Sequence, residues 1–135
     1  MNALHAPDGG DEAAAIAAAD ALVAKPVELP DGPASWIFYY ACPDDGTTLV
    51  RIGPGQNQCP KCKKIYTDER TNAAYRYILH SNAEKATVTL GWAYIYTRDD
   101  KYAAAAKPIF LKLAHDYPTY PARLDRWGNT GKNAP

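Results

Sequence analysis

The apolar pattern of the first part of the chain is dominated by alanine. DEAAAIAAADALVAK, from Asp11 to Lys25, uses the strongest helix former, carries acids at its start and ends before Pro26, so it predicts a helix with few large anchors (Ile16, Leu22, Val23). PVELPDGPAS then breaks any period with three prolines and a glycine and predicts an extended linker. Trp36 to Tyr40 is a bulky run of strand length, and Thr47 to Ile52 a second, so two strands about a turn at Pro43 to Gly46 predict a β-hairpin ahead of a Gly-Pro-Gly loop.

Beyond Tyr66 the period lengthens. From Thr71 to about Tyr96, apolar residues at 75, 78, 79, 83, 86, 90 and 93 keep helical spacing, with Asp68 or Thr71 as N-cap. After Thr97-Arg98-Asp99 a second helix sets Tyr102, Ala105, Ala106, Ile109, Leu113 and Tyr117 on one face, with Asp99 as its cap and Pro118 as its stop. Pro108 falls inside it, removes one backbone hydrogen bond and predicts a kink. So short a break predicts an antiparallel helix pair. The fold class is therefore α+β and mainly α, in three segments: 1–35, an N-terminal helix and linker; 36–66, the hairpin; and 67–135, the helix pair and the chain beyond it.

Composition narrows the partners. The 135 residues are one domain's worth, and 15 basic against 15 acidic side chains leave no net charge, so nucleic acid and anionic membranes are not expected partners. The N-terminal MNALHAPDGGDEAAA carries neither a basic nor a long apolar stretch and reads as having no export signal, and no run reaches the eighteen or so apolar residues of a membrane span.

Chemistry concentrates in ACPDDGTTLVRIGPGQNQCPKCKKIY. Cys42-Pro43-Asp44-Asp45-Gly46 and Cys59-Pro60-Lys61-Cys62-Lys63 repeat one pattern, Cys-Pro-x-ligand, and paired turns with two residues between ligands are the signature of a zinc ribbon. Two intervening residues turn the chain tightly enough for both side chains to reach one ion, and Gly46 supplies a positive φ after the first turn. Asp45 stands where a fourth cysteine is expected, so the reading is a Cys42, Asp45, Cys59, Cys62 site for one structural zinc, weakened by a carboxylate in place of a thiolate. Two alternatives stand beside it: a degenerate ribbon without metal, or a disulfide from Cys42 to Cys59 or Cys62 that leaves one thiol over. The flanks of Cys59-Pro-Lys-Cys62, a Gly-Pro-Gly loop and a lysine pair, do not fit a redox-active motif at a helix start.

Other residues carry less. His80 reads as a partly exposed surface histidine and His115 as a solvent-facing one, suited to a helix C-terminus. Tyr75, Trp92, Tyr94 and Tyr96 read mainly as packing aromatics. Lys61, Lys63 and Lys64 form a basic knuckle offset by Asp68 and Glu69. Leu90-Gly91, Tyr94 and the run from Ala106 to Pro118 suggest a tetratricopeptide unit, but one copy is too few to stack.

Taken in order, the aromatic run, the Cys-Pro-x-x-Gly and Cys-Pro-x-Cys turns, Tyr66-Thr67-Asp68-Glu69-Arg70 and LGWAYIYTRDDKYAAAAKPIFLKLAHDYPTYP resemble the N-terminal part of heparinase II/III-like polysaccharide lyases, over about Trp36 to Gly128. That resemblance implies a small Cys-rich insertion before the first helices of an (α/α) toroid. It implies β-elimination of an acidic polysaccharide by a complete enzyme, with the rest of the toroid and a β-domain outside this chain, and an extracellular or periplasmic setting. Asp45 and Pro108 depart from the pattern. The family's catalytic motifs find no match here, so no catalytic residue is carried over and this chain alone is expected to be inactive. Arg123, Arg126 and Trp127, in the loop after the helix pair, suit an anionic sugar through charge and stacking. The alternative from another class is a free-standing zinc-ribbon and helical-hairpin module that binds a protein or nucleic acid.

Overall fold

A computed structural model describes residues 9–120. Among them are three α-helices, α1 (Gly9–Ala24), α2 (Glu69–Thr97) and α3 (Asp100–Asp116), and a three-stranded antiparallel sheet, β1 (Val50–Gly53), β2 (Gln56–Gln58) and β3 (Ile65–Tyr66), in the order β1-β2-β3. The fold is mainly helical with a small sheet. Among the described residues, the compact units do not follow the linear order of the segments: one takes 9–29 together with Asn82–His115, the other takes Pro30–Ser81 and 116–120, and α2 runs through both.

In the first unit the alanine-rich α1, the C-terminal part of α2 and α3 share one core. Ala19, Ala83, Ala86, Leu90, Ala93, Tyr102, Ala106 and Ile109 are buried together, with Leu22, Val23, Val27 and Leu29 packed against them. Small residues at most of these positions let helices approach closely, and Tyr102, 1% exposed, fills the space they leave. Its hydroxyl donates to Asp20 at 2.8 Å, and the Lys101 ammonium reaches the same carboxylate at 2.9 Å, tying α3 to α1. Lys101 first, and Tyr102 second, hold the Asp20 carboxyl below its ordinary value. Burial, then the hydrogen bond to Asp20, pushes the Tyr102 hydroxyl up. Asp20's contribution to stability is therefore present above about pH 3.9 and fades as pH falls through its depressed value, and Tyr102's is present below about pH 10 and fades as pH rises through its raised one. Tyr102→Phe is expected to lower the melting temperature by a few degrees at neutral pH and to flatten its alkaline dependence, which thermal melts across pH measure.

The turn between α2 and α3 uses local chemistry. Arg98 takes a left-handed φ of 57° and its N–H closes on the Tyr94 carbonyl at 2.8 Å, which ends α2. The Asp99 carboxylate then accepts the Lys101 N–H at 3.0 Å and starts α3. α3 continues through Pro108, which has no N–H to offer the Ala104 carbonyl one turn back. Tyr117 leaves the face expected of it: it lies past the helix end in a 3₁₀ turn, Tyr117–Thr119, and is 74% exposed, because Pro118 ends the helical repeat before it.

The second unit corrects the sequence reading of the hairpin. Trp36 to Tyr40 is not a strand; Ile37–Tyr39 form a 3₁₀ turn, with Tyr39 N–H bonded to Trp36 O at 3.0 Å and Tyr40 N–H to Ile37 O at 2.8 Å. Five consecutive bulky residues would need apolar cover on both faces of a sheet, which a sheet this small lacks. The turn instead sends Ile37, Tyr39 and Tyr40 to the core and leaves Trp36 and Phe38 outward. Only a single bridge, Ala41 to Thr48, remains of the expected pairing, and the true hairpin lies one turn later, β1 against β2. The first turn of α2 is fixed by Asp68, which accepts the Thr71 N–H at 2.9 Å and the Thr71 hydroxyl at 2.8 Å.

Candidate metal centre

The two Cys-Pro turns fold into the same knuckle. In the first, Gly46 N–H bonds Cys42 O at 2.8 Å and Cys42 N–H bonds Thr47 O at 2.8 Å; in the second, Lys63 N–H bonds Cys59 O at 3.0 Å and Cys59 N–H bonds Lys64 O at 2.9 Å. Gly46 and Lys63, at equivalent positions, both adopt left-handed backbone, with φ of 71° and 64°. The first knuckle meets that demand with glycine and the second with a lysine whose ammonium folds back onto Pro60 O at 2.6 Å. A methyl group at Gly46 would touch nothing within 4 Å, so only the backbone resists it. Gly46→Ala is therefore expected to lower stability by about 1 kcal/mol, and Lys63→Gly to be neutral or stabilising by at most about 1 kcal/mol, as read from denaturant midpoints.

Facing each other, the knuckles bring Cys42, Asp45, Cys59 and Cys62 together, with one ligand atom from each lying within 4.8 Å of the others. Cys42 and Cys59 are buried and Cys62 is exposed. The donor set could hold a metal ion, and two of its edges can be compared with those of a zinc tetrahedron. Arms of about 2.3 Å to sulfur and about 2.1 Å to oxygen require sulfur–sulfur edges of about 3.8 Å and sulfur–oxygen edges of about 3.6 Å. The Cys42 and Cys62 sulfurs are 3.7 Å apart, and Cys59 Sγ lies 3.5 and 3.7 Å from the two Asp45 oxygens.

The surroundings favour the anionic form of Asp45 and Cys42, whereas at Cys62 the Lys64 backbone hydrogen bond is outweighed by burial and the two neighbouring sulfurs, which push that thiol up. Hydrogen bonds from the Thr47 side chain and then its N–H, the latter at 2.9 Å to Oδ1, hold the Asp45 carboxyl down to about 2. The Tyr66 hydroxyl, 3.3 Å from Cys42 Sγ, pulls that thiol below its ordinary range, and the same bond pushes the tyrosine up. The Cys62 N–H donates to Cys59 Sγ at 3.4 Å. Lys64 pairs with Asp44 across the two knuckles.

The chain matches no family model, no curated protein and no solved structure. Its site is defined by its own geometry.

Two residues behind the ligands were not singled out by the sequence. Tyr66 is one. The other is Asn57, fully buried on β2, which accepts the Tyr40 hydroxyl at 3.0 Å and donates to Tyr66 O at 3.2 Å and Asn72 Oδ1 at 2.9 Å. Burial, the first cause, pushes Tyr40 up to about 12, so it remains a donor. An asparagine between two glutamines in QNQ carries no pattern; the only signal was β2's alternation, which turns its middle residue inward.

The remaining candidates fall elsewhere. His80 is partly exposed, in line with its sequence reading; its Nε2 meets Gly32 O at 3.0 Å and its ring packs edge-on to Tyr120 at 5.7 Å. His115 is exposed in the last turn of α3. Tyr75 packs on Tyr40 at 5.5 Å beneath the Arg51 guanidinium, and Trp92 stacks on Tyr96 at 5.9 Å. Lys61, Lys63 and Lys64 are exposed on the second knuckle. Arg123, Arg126 and Trp127 lie outside the described residues. No helix among the described residues is long and apolar enough to cross a membrane.

Proposed function

We propose that Cys42, Asp45, Cys59 and Cys62 hold one structural zinc ion, which fastens a zinc-ribbon-like module to the start of α2. The observation that carries this reading is the match between the sulfur–sulfur and sulfur–oxygen separations and the edges of a zinc tetrahedron. The ion closes all four positions with protein ligands, so it supplies structure, with no open position for catalysis. Tyr66 steadies Cys42, Thr47 steadies Asp45, and the Asn57 network holds the strands that carry them.

By the resemblance of its motif order, the module belongs at the N-terminal side of a heparinase II/III-like lyase, ahead of toroid helices of which α2 and α3 are the first. Arg123, Arg126 and Trp127 would then face an acidic polysaccharide, which the complete enzyme cleaves by β-elimination outside the cell or in the periplasm. Two experiments separate the levels. Asp45→Ala should retain zinc with affinity lowered at least tenfold, measured by competition with a chromogenic chelator; unchanged affinity removes Asp45 from the site. For the lyase, the genomic reading frame should continue beyond Pro135 into amphipathic helices and then strands, and the longer product should release unsaturated uronates. A stop codon after Pro135, with native protein of this mass in cells, leaves the free-standing binding module.

A further inference from the structure

We propose that this centre is released by oxidation: a hydroperoxide joins Cys42 to Cys62 as a disulfide and expels the ion, and a thiol reductant restores it. The inference rests on the zinc reading above and adds which thiols react.

Three cysteines permit three pairings, and the structure separates them. Cys42 and Cys62, one from each knuckle, have sulfurs 3.7 Å apart. Cys59 Sγ lies 3.5 Å from the Asp45 carboxylate and accepts the Cys62 N–H, and the residue is completely buried. Cys62 is the exposed thiol, so an oxidant meets it first. Because Asp45 replaces the other thiol of the first knuckle, any bond between knuckles must use Cys42.

The chemistry balances with the hydroperoxide as oxidant. The Cys62 thiolate attacks a peroxide oxygen, the O–O bond breaks, and Cys62 becomes a sulfenic acid as hydroxide or alkoxide leaves. The Cys42 thiolate then attacks the Cys62 sulfur, the S–S bond forms as the S–O bond breaks, and hydroxide departs; two protons from the buffer neutralise the two leaving groups. Two electrons pass from the sulfurs to the peroxide. Closing the sulfurs from 3.7 Å to about 2.05 Å removes two of four ligands, and Cys59 with Asp45 cannot retain the ion alone.

The test loads the whole chain with zinc under reductant, removes the reductant, adds hydrogen peroxide, and tracks zinc with a chromogenic chelator. Non-reduced peptide mapping runs on the same samples. The expected result is release of one zinc per chain in step with a Cys42–Cys62 cross-linked peptide, with Cys59 still open to alkylation after unfolding, and recovery of bound zinc when thiol and metal are returned. Zinc retained under peroxide, release with a Cys59–Cys62 link, or release with only sulfinic or sulfonic products overturns the switch while leaving the zinc site standing. A chain that takes up no zinc at the loading step overturns the zinc reading and the switch with it.

Discussion

Removing the ion with a chelator, or replacing Cys59 with serine, is expected to unfold the unit built on residues 30–81 while leaving the core around Tyr102 folded. The asymmetry comes from what each unit buries. Around the knuckles the buried cluster is Tyr40, Cys42, Leu49, Cys59 and Ala74, so two of its five members belong to the candidate metal cluster. The strands there have 4, 3 and 2 residues, too few for a sheet to stand by itself. Structural zinc contributes roughly 10 kcal/mol or more to the folding of comparably small modules at neutral pH, and a carboxylate in the ligand set places this centre toward the low end of that range. Among the described residues the other unit has eight buried core residues, none of them in the candidate metal cluster, and the Tyr102–Asp20–Lys101 contacts besides. Nuclear magnetic resonance should show collapse of dispersion for Tyr40, Leu49 and Tyr66 on chelation, with Ala19, Leu90 and Ile109 little changed. A single cooperative loss of both sets, or no loss at all, contradicts the assignment of the ion to that unit's stability. Acid should act like the chelator, because protons compete for the thiolates.

Asn57→Ala is expected to cost about 3 kcal/mol, the second largest effect in the molecule. The side chain is fully buried and makes three hydrogen bonds, so its removal leaves the buried Tyr40 hydroxyl without its acceptor and the half-buried Tyr66 carbonyl and Asn72 side-chain oxygen without its donors. The loss should also reach the metal. Tyr66 takes its backbone position from Asn57 and gives its hydroxyl to Cys42, so zinc affinity should fall with stability even though Asn57 touches no ligand. Asn57→Asp, of the same shape, should be worse at neutral pH than at acid pH, since a carboxylate there would face two acceptors where the amide donates. Urea unfolding and zinc competition on both variants measure the two effects. A variant of normal stability and affinity would show that the network is not what holds the strands.

The clustering of Cys42, Asp45, Cys59 and Cys62 was legible in the sequence because the turn chemistry that sets it is local. Cys-Pro-x-ligand repeated twice sets the knuckles by short-range turn geometry, whatever lies around it. The long helices were legible for a related reason: the 3.6 period of α2 and its Asp68 cap are set within a few residues. Trp36 to Tyr40 was not legible as a 3₁₀ turn, because a bulky aromatic run has strand propensity, and only the lack of a second covering surface decides against a strand. Lys63 hid its left-handed backbone behind a residue type that does not announce it, although its equivalence to Gly46 in the repeat was visible. Asn57 and Tyr66 act through contacts between residues nine to twenty-four apart, which no local pattern encodes.

The central claim is that three thiolates and one carboxylate hold a single zinc ion. X-ray absorption at the zinc edge, on protein refolded with zinc and freed of excess metal, tests it most directly. The expected result is one zinc per chain with three sulfur scatterers at about 2.3 Å and one oxygen at about 2.0–2.2 Å. A shell of nitrogen and oxygen alone, or no zinc retained, would contradict it.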